Sequence, residues 1–134
     1  MSGISASSNG LNDMAAASTP AADMLSISIV IPIRNEERFI AQTLEGILAQ
    51  DYPIECREIL VVDGESTDRS REIVERYAST DDTVRLFANT KRLSSAARNV
   101  GVQMARGDVV VVVDGHCQFE NNKYLRNLAR AFRD

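Results

Sequence analysis

Residues 26–37 read SISIVIPIRNEE. Ile27 to Ile33 is a mostly β-branched run with Pro32 near its end, and the polar cluster Arg34-Asn35-Glu36-Glu37 closes it. A short apolar run bounded in this way predicts a buried strand. Helical spacing follows at once, with Ile40, Leu44, Ile47 and Leu48 on one face. Asp51-Tyr52-Pro53 stops that helix.

The same alternation continues outward from this unit. A second strand is predicted from about Glu58 to Asp63, followed by the turn Gly64-Glu65-Ser66-Thr67. Thr67 reads as the N-cap of the next helix, with Asp68 at its positive start. Ile73, Val74, Tyr77 and Ala78 give that helix its buried face, and Glu72 and Arg76 are placed to pair outside it. A third strand spans Thr83 to Ala88 and leads into Asn89 to Leu93. Ser94 caps a helix whose face is Ala97, Val100, Gly101 and Met104, and Gly107 ends it. Gly101 suits a close approach of helix to sheet. A fourth strand, Asp108 to Val113, runs into Asp114-Gly115-His116, and a last helix from about Asn122 presents Leu125, Leu128, Ala129 and Phe132. Four strands alternating with four helices predict an α/β fold, an open parallel sheet with helices on both faces and right-handed crossovers.

Composition limits what such a domain does. The 134 residues are room for one domain, with hydrophobic content at 44% and charged residues at 25%, as in globular chains. A net charge of −4 gives no general attraction to nucleic acid or acidic membranes, so no nucleic-acid partner is expected. Cys56 and Cys117 are too few for a disulfide framework and lack zinc-site spacing, which predicts two reduced thiols and a cytoplasmic setting. The longest apolar run, Val109 to Val113, is far short of the ~20 residues of a membrane span. Residues 1–25 are rich in Ser, Ala, Gly and Asn, without aromatics or periodicity, and read as a disordered tail ahead of a unit spanning 26–134. No basic residue precedes Arg34 and no continuous apolar stretch follows the N-terminus, so no signal peptide is expected.

Ligands of open parallel sheets bind beyond the carboxyl ends of the strands, where strand order reverses. Three strands deliver polar clusters to that edge: Arg34 to Glu37, Asp63 to Asp68, and Asp114 to His116. Asp114 and His116 flank a glycine at the end of a very apolar strand and can meet one divalent cation, Mg²⁺ or Mn²⁺, bridged to phosphate. A plain Asp-Gly turn with an incidental histidine reads equally well. Asp63 can accept a hydrogen bond from a base N–H, or it stabilises its own loop. Arg98 and Asn99, after Lys91 and Arg92, can meet phosphate at a helix N-terminus, or they form a solvated basic face.

Four blocks together, SIVIPIRNEE, VVDGESTD, SAARNVG and VVDGH, resemble the family-two glycosyltransferases in order and spacing. The resemblance spans Ser26 to Asp134 and implies a Rossmann-like fold of the GT-A type. It implies that Pro32, Asn35, Glu36 and Asp63 line a nucleotide pocket. The family's DxD motif, which serves ribose and the metal-diphosphate, falls on Asp114-Gly115-His116, with His116 in place of the second acid. That variant resembles bacterial exopolysaccharide enzymes of the succinoglycan type. Glu65 replaces the glycine usual at its place.

The implied reaction is inverting transfer of a sugar from a nucleotide donor, a UDP-sugar with Mn²⁺ or Mg²⁺, to a saccharide or lipid-linked acceptor. The implied setting is the cytoplasm or the inner face of a membrane. The family's catalytic base lies on a later segment, and no residue here is nominated for it. The chain is therefore expected to bind donor and stabilise the leaving group only. A nucleotide- or metal-binding module without transfer activity is the alternative. No Gly-rich dinucleotide fingerprint follows the first strand and no Walker A sequence occurs.

Overall fold

A computed structural model of the protein describes residues 24–91 and 94–133. The tail assigned to 1–25 lies outside the described residues up to residue 23, as do Arg92, Leu93 and Asp134. The elements are β1 (Ile27–Ile33), α1 (Ile40–Leu48), a short 3-10 turn (Ile54–Cys56), β2 (Arg57–Asp63), α2 (Ser70–Thr80), β3 (Val84–Ala88), α3 (Ser94–Met104), β4 (Val109–Val112) and α4 (Tyr124–Arg133). The four strands form one parallel sheet in the order β3-β2-β1-β4. Ile27 pairs with Arg57 on one side and with Val109 on the other.

Alternation along β1 divides the sheet's faces. Ile27, Ile29, Ile31 and Ile33 join Ile59 and Val61 in a core closed by Ile40, Leu44 and Ile47 of α1, Val74 of α2, and Leu125 and Ala129 of α4. Each of these large aliphatic side chains contributes about 1.5–3 kcal/mol by leaving water. The opposite face carries α3, which packs on β1 and β2. A Cβ built on Gly101 would lie 2.3 Å from Val30 Cγ1, so the glycine sets how closely α3 approaches β1. The doubly covered parallel sheet expected from the alternation is what forms. Beside α3, Val110 and Val112 of β4 keep 38% and 41% exposure.

Three local expectations change. Thr67 does not cap α2, which starts at Ser70. The N–H groups of Thr67 and Asp68 instead donate to Asn35 Oδ1, and Asp68 Oδ1 accepts from the Ser70 N–H. Glu72 pairs with Arg69 at 3.0 Å rather than with Arg76. Gly107 does not end α3, which stops at Met104. Its N–H donates to Ser28 Oγ, and a Cβ there would lie 2.8 Å from the Ser28 nitrogen. Chain crossing, not helix termination, requires this glycine.

Candidate functional site

In the order β3-β2-β1-β4 the chain leaves β1 toward β2 and returns on the other side as β4. The carboxyl ends of β1 and β4 therefore flank the point of reversal, where a crevice is expected. A cleft of about 260 Å³ opens there. Pro32, Glu36, Arg98 and Asp114 all line it. Four of the residues singled out from the sequence are thus brought to one cavity by β1, α3 and the end of β4.

Packing explains the tripeptide after β4. A Cβ on Gly115 would lie 2.9 Å from Ile33 Cγ2 and 3.1 Å from Glu36 Cγ, so only glycine lets this loop rest on β1. The buried Thr43 hydroxyl of α1 fixes the loop, lying 2.8 Å from the Gly115 carbonyl and 3.1 Å from that of Cys117. His116 is thereby set beside Glu36, with Nδ1 3.1 Å from Oε2. Its side chain is 59% exposed. The Glu36 hydrogen bond, followed by the Glu36 charge, raises the His116 pKa above its ordinary value.

With Nδ1 donating to Glu36, the neutral ring keeps its Nε2 lone pair for a ligand. Asp114 is exposed, and among the described residues no hydrogen bond or ion pair reaches its carboxylate. Asp114 lines the cleft and His116 does not, and a carboxylate and an imidazole are each ligand types that a divalent ion accepts. Among the described residues no group of three His, Cys, Asp or Glu side chains could hold a metal unaided.

Two residues expected in the pocket stand behind it. Asn35 takes a left-handed φ of 56°, which asparagine tolerates better than most residues. Its side chain clasps the β2 loop through the Thr67 N–H at 2.8 Å and the Asp68 N–H at 3.3 Å. The clasp is reinforced by Glu36 N–H to Ser70 Oγ at 2.7 Å and Arg69 N–H to Glu37 Oε1 at 2.8 Å. Burial pushes the Asp68 carboxyl up, but hydrogen bonds from the Ser70 hydroxyl and from the Ser70 and Glu37 N–H groups outweigh it, and its pKa lies below the usual value. Asp63 is 2% exposed and accepts from both the N–H and the hydroxyl of Ser66. Glu65 lies at φ 60°, the left-handed region that favours glycine.

Arg34, which the sequence brings to this edge in the cluster after β1, also lines the cleft, whereas Asn89, Ser94 and Ala97 were not singled out as site residues. Arg34 Nε donates to the Gly64 carbonyl at 3.0 Å, tying the two loops on the cleft side. Asn89 is 4% exposed, donates its N–H to the Asp63 carbonyl and lines the cleft. Its signal was available, since it follows β3 as Asp63 closes β2. Ser94 and Ala97 bring the first turn of α3 to the wall, beside Arg98. No partner engages the Arg98 guanidinium among the described residues. A helix N-terminus with an unpaired arginine favours anions, and the facing carboxylate favours a cation. One cavity with both suits a phosphate-bound metal.

In sequence and in fold the chain is similar to known proteins. Residues 28–134 match the family described as Glycosyl transferase family 2. A dolichyl N-acetyl-alpha-D-glucosaminyl phosphate 3-beta-D-2,3-diacetamido-2,3-dideoxy-beta-D-glucuronosyltransferase of Methanococcus voltae is 36% identical over 75% of this chain and 32% of its own length. Glycosyltransferase AglE of Haloferax volcanii is 33% identical over 68% of this chain and 30% of its own. The chain thus spans about a third of these curated relatives. Among solved structures, a Pyrobaculum calidifontis mannosyltransferase in complex with GDP-Man and Mn²⁺ superposes with a TM-score of 0.79 at 30% identity, over 85% of this chain and 34% of that one. S. aureus TarS superposes with a TM-score of 0.74 at 28% identity, over 81% of this chain and 32% of that one. The chain belongs to glycosyl transferase family 2 and carries its GT-A-like sheet.

Proposed function

We propose that the chain binds a nucleotide-sugar donor, a UDP-sugar, together with Mn²⁺ or Mg²⁺, for inverting glycosyl transfer in polysaccharide or glycan synthesis. The observation that carries the reading is the cleft between β1 and β4, where Arg98 and Asp114 line one cavity and neither is engaged by the protein among the described residues. Arg98 and the start of α3 would take the diphosphate. Asp114, with the imidazole of His116, would hold the metal. A divalent ion so placed neutralises charge on the departing diphosphate. Pro32, Asn35, Glu36 and Asp63 form the nucleoside end, with Asn35 serving by holding the loop rather than by contact. Support comes from similar proteins solved with UDP-GlcNAc and with GDP-Man and Mn²⁺.

The acceptor in this reading is a saccharide or a lipid-linked one, met in the cytoplasm or at the inner face of a membrane. No described helix is long and apolar enough to cross a membrane. Closeness to the succinoglycan-type exopolysaccharide enzymes rests on Asp114-Gly115-His116 alone. No residue here is assigned as the base that deprotonates the acceptor, help worth ~10²–10⁴ in rate. The isolated chain is therefore a donor-binding unit without acceptor-dependent turnover. Calorimetry with UDP, GDP and CDP, with and without Mn²⁺, tests the binding half. UDP is expected to bind more tightly than CDP and to gain from the metal, and absence of nucleotide binding would end the proposal. A UDP-release assay over sugar and lipid-linked acceptors tests the second half, where robust acceptor-dependent release would show that a base is present after all.

A further inference from the structure

We infer that a second cavity, on the far side of Asp114 from the donor cleft, is a saccharide site, which rests on the donor-binding reading above only for what the sugar does there. The cavity holds about 470 Å³ and shares Asp114 with the cleft. Val112 and Val113 at the end of β4, the segment from Cys117 to Asn121, and Tyr124 and Asn127 of α4 complete it. Its volume lies within the ordinary range of small-ligand pockets. The wall is built from α1. The Thr43 hydroxyl holds the carbonyls of Gly115 and Cys117. A Cβ on Gly46 would lie 2.8 Å from Phe119 Cδ2, so glycine there seats the Phe119 ring against the helix. Gln50, buried just past the helix end, donates to the Asn121 carbonyl at 2.9 Å and accepts from the Leu125 N–H at 3.1 Å. It thereby satisfies one of the N–H groups that the start of α4 leaves open. Buried polar groups spent on a surface segment fix the shape of what that segment lines.

The lining suits an uncharged polyol more than an anion. Among the described residues no lysine or arginine lines the cavity, and the charges of Asp114 and Glu120 oppose phosphate and carboxylate ligands. Gln118, Asn121 and Asn127 supply carboxamides, each with donors and acceptors on one planar group. Neighbouring sugar hydroxyls, which both donate and accept, match such a group. The Gln118 and Asn127 carboxamides and the Tyr124 hydroxyl have no hydrogen-bond partner among the described residues. Asn121 spends only its Oδ1, on the Lys123 N–H at 2.8 Å. A sugar also has an apolar face of axial C–H groups, which packs on the electron-rich face of an aromatic ring. Tyr124 offers that ring, exposed and braced by Phe119 with the centroids 5.2 Å apart. Burial, and after it the neighbouring Cys117, raises the Tyr124 pKa, so its hydroxyl keeps its proton to donate. The saccharide has two sources, an acceptor glycan or the sugar of the nucleotide donor, and both present the same hydroxyls.

Magnetic-resonance titration of the isotope-labelled chain tests this, by following the side-chain amides of Gln118, Asn121 and Asn127. The probes are the neutral disaccharides cellobiose, maltose and N,N′-diacetylchitobiose, added without nucleotide, then UDP-glucose and UDP-N-acetylglucosamine against UDP, with inorganic phosphate as the charged control. A disaccharide that shifts these amides supports the site and identifies an acceptor glycan. Shifts from a UDP-sugar, but from neither UDP nor any disaccharide, support it and identify the sugar of the donor. Tyr124→Ala removes the ring and is expected to weaken saccharide binding about tenfold (~1.4 kcal/mol), with Asn127→Ala costing about threefold. Tyr124→Phe keeps the ring and should stay within about twofold of native. Tyr124→Leu, which keeps apolar bulk without a π face, replaces the alanine variant if that one does not melt cooperatively. UDP affinity should stay within about twofold in every variant, which a general loosening of the fold would not give. If no disaccharide shifts these amides and the UDP-sugars shift them no more than UDP, the saccharide site is refuted while donor binding stands. Native saccharide affinity in Tyr124→Ala or Tyr124→Leu, or an equal response to phosphate, also refutes it. If a disaccharide binds and UDP does not, the cavity stands and the donor reading fails.

Discussion

Both ends of this sheet carry clusters of polar side chains, and the two clusters are satisfied to different degrees. At the amino end, Glu58 Oε2 accepts from the Ser28 hydroxyl at 2.6 Å and the Arg106 N–H at 2.6 Å, while Oε1 accepts from Arg85 at 2.9 Å. Ser28 Oγ also receives the Gly107 N–H, and Ser26 and Asp108 exchange hydrogen bonds beside it. Arg57 is the exception, its Nε buried without a partner while Nη1 donates to Thr83. At the carboxyl end, Asn35, Ser66 and Asp68 are engaged in the same fashion, but among the described residues no hydrogen bond or ion pair reaches the Asp114 or Arg98 side chain. Polarity alone therefore does not mark a site. Charged groups left unpaired at a crevice do, because binding capacity remains only where folding has not satisfied it.

Breaking the amino-end latch gives the largest expected effect. Glu58 side chain is 15% exposed and Arg85 25%. Glu58→Ala leaves the Ser28 hydroxyl, the Arg106 N–H and Arg85 without their acceptor, and should cost about 2–3 kcal/mol in urea unfolding. Nucleotide affinity of the folded fraction should stay unchanged. Burial pushes the Glu58 pKa up, yet hydrogen bonds from Ser28, Arg106 and Arg85 outweigh it, and the carboxyl is held below its ordinary value. A depressed folded pKa contributes stability that is complete above the unfolded value, about 4.3–4.5, and is lost as pH falls through the folded one. Native stability should therefore decline below about pH 4.5, and Glu58→Gln should shallow that decline. A decline of equal steepness in Glu58→Gln would move the acid sensitivity to other carboxylates, such as Asp81, whose pKa is also lowered by its bonds to Thr83 against the opposing effect of burial.

This contrast also explains what the sequence disclosed. Periodicity located all four strands and four helices, because a 3.6-residue stripe such as Ile40, Leu44, Ile47 is set by the water it excludes. The cleft residues Pro32, Glu36, Arg98 and Asp114 were legible because they follow strands or open a helix. Thr67 was misread as a cap because its N–H is satisfied from 32 residues away by Asn35, and local spacing cannot show a distant acceptor. Glu58 drew no notice, since one acid near the start of an apolar strand looks like a boundary. Its partners Ser28 and Arg106 are brought to it only by the strand register and the α3–β4 turn. Side-chain satisfaction is a tertiary property, and that is the part the sequence did not display.

A smaller effect should come from the contact that joins the two ends, Gly101 against Val30. An alanine Cβ would lie 2.3 Å from Val30 Cγ1 and 2.9 Å from Cγ2. Overpacking of this kind costs about 1–3 kcal/mol, offset by up to ~1 kcal/mol from the better helix propensity of alanine. Gly101→Ala should thus lose about 1–2 kcal/mol of stability. Because α3 also carries Ser94 and Arg98 to the cleft, the same change should weaken UDP binding without altering the UDP-over-CDP ratio. An altered ratio would mean that α3 helps to set the base end, and that the two halves of the cleft are mechanically coupled.

The finest test of the comparison lies within the loop after β4, between a residue the fold leaves alone and one it engages. Asp114 has no protein partner among the described residues, whereas His116 is held by Glu36 at 3.1 Å. If unpaired groups carry the binding, Asp114→Ala should remove most of the Mn²⁺-dependent gain in nucleotide affinity, about tenfold or ~1.4 kcal/mol. Its melting temperature should not change, since an exposed carboxylate without partners contributes little to folding. His116→Ala should cost less, about threefold, because a neutral imidazole supplies one ligand without charge and water can replace it. Its loss also releases Glu36, an acid at the same cavity that can approach the metal in its place. Glu36→Gln keeps the shape but weakens the orientation of the ring, and should match His116→Ala if positioning by Glu36 is what makes His116 a ligand. Calorimetric titration of UDP against each variant, repeated without metal, separates the cases. A His116→Ala variant with an undiminished metal response would reduce His116 to a surface partner of Glu36, and would leave Asp114 as the sole protein ligand in this loop.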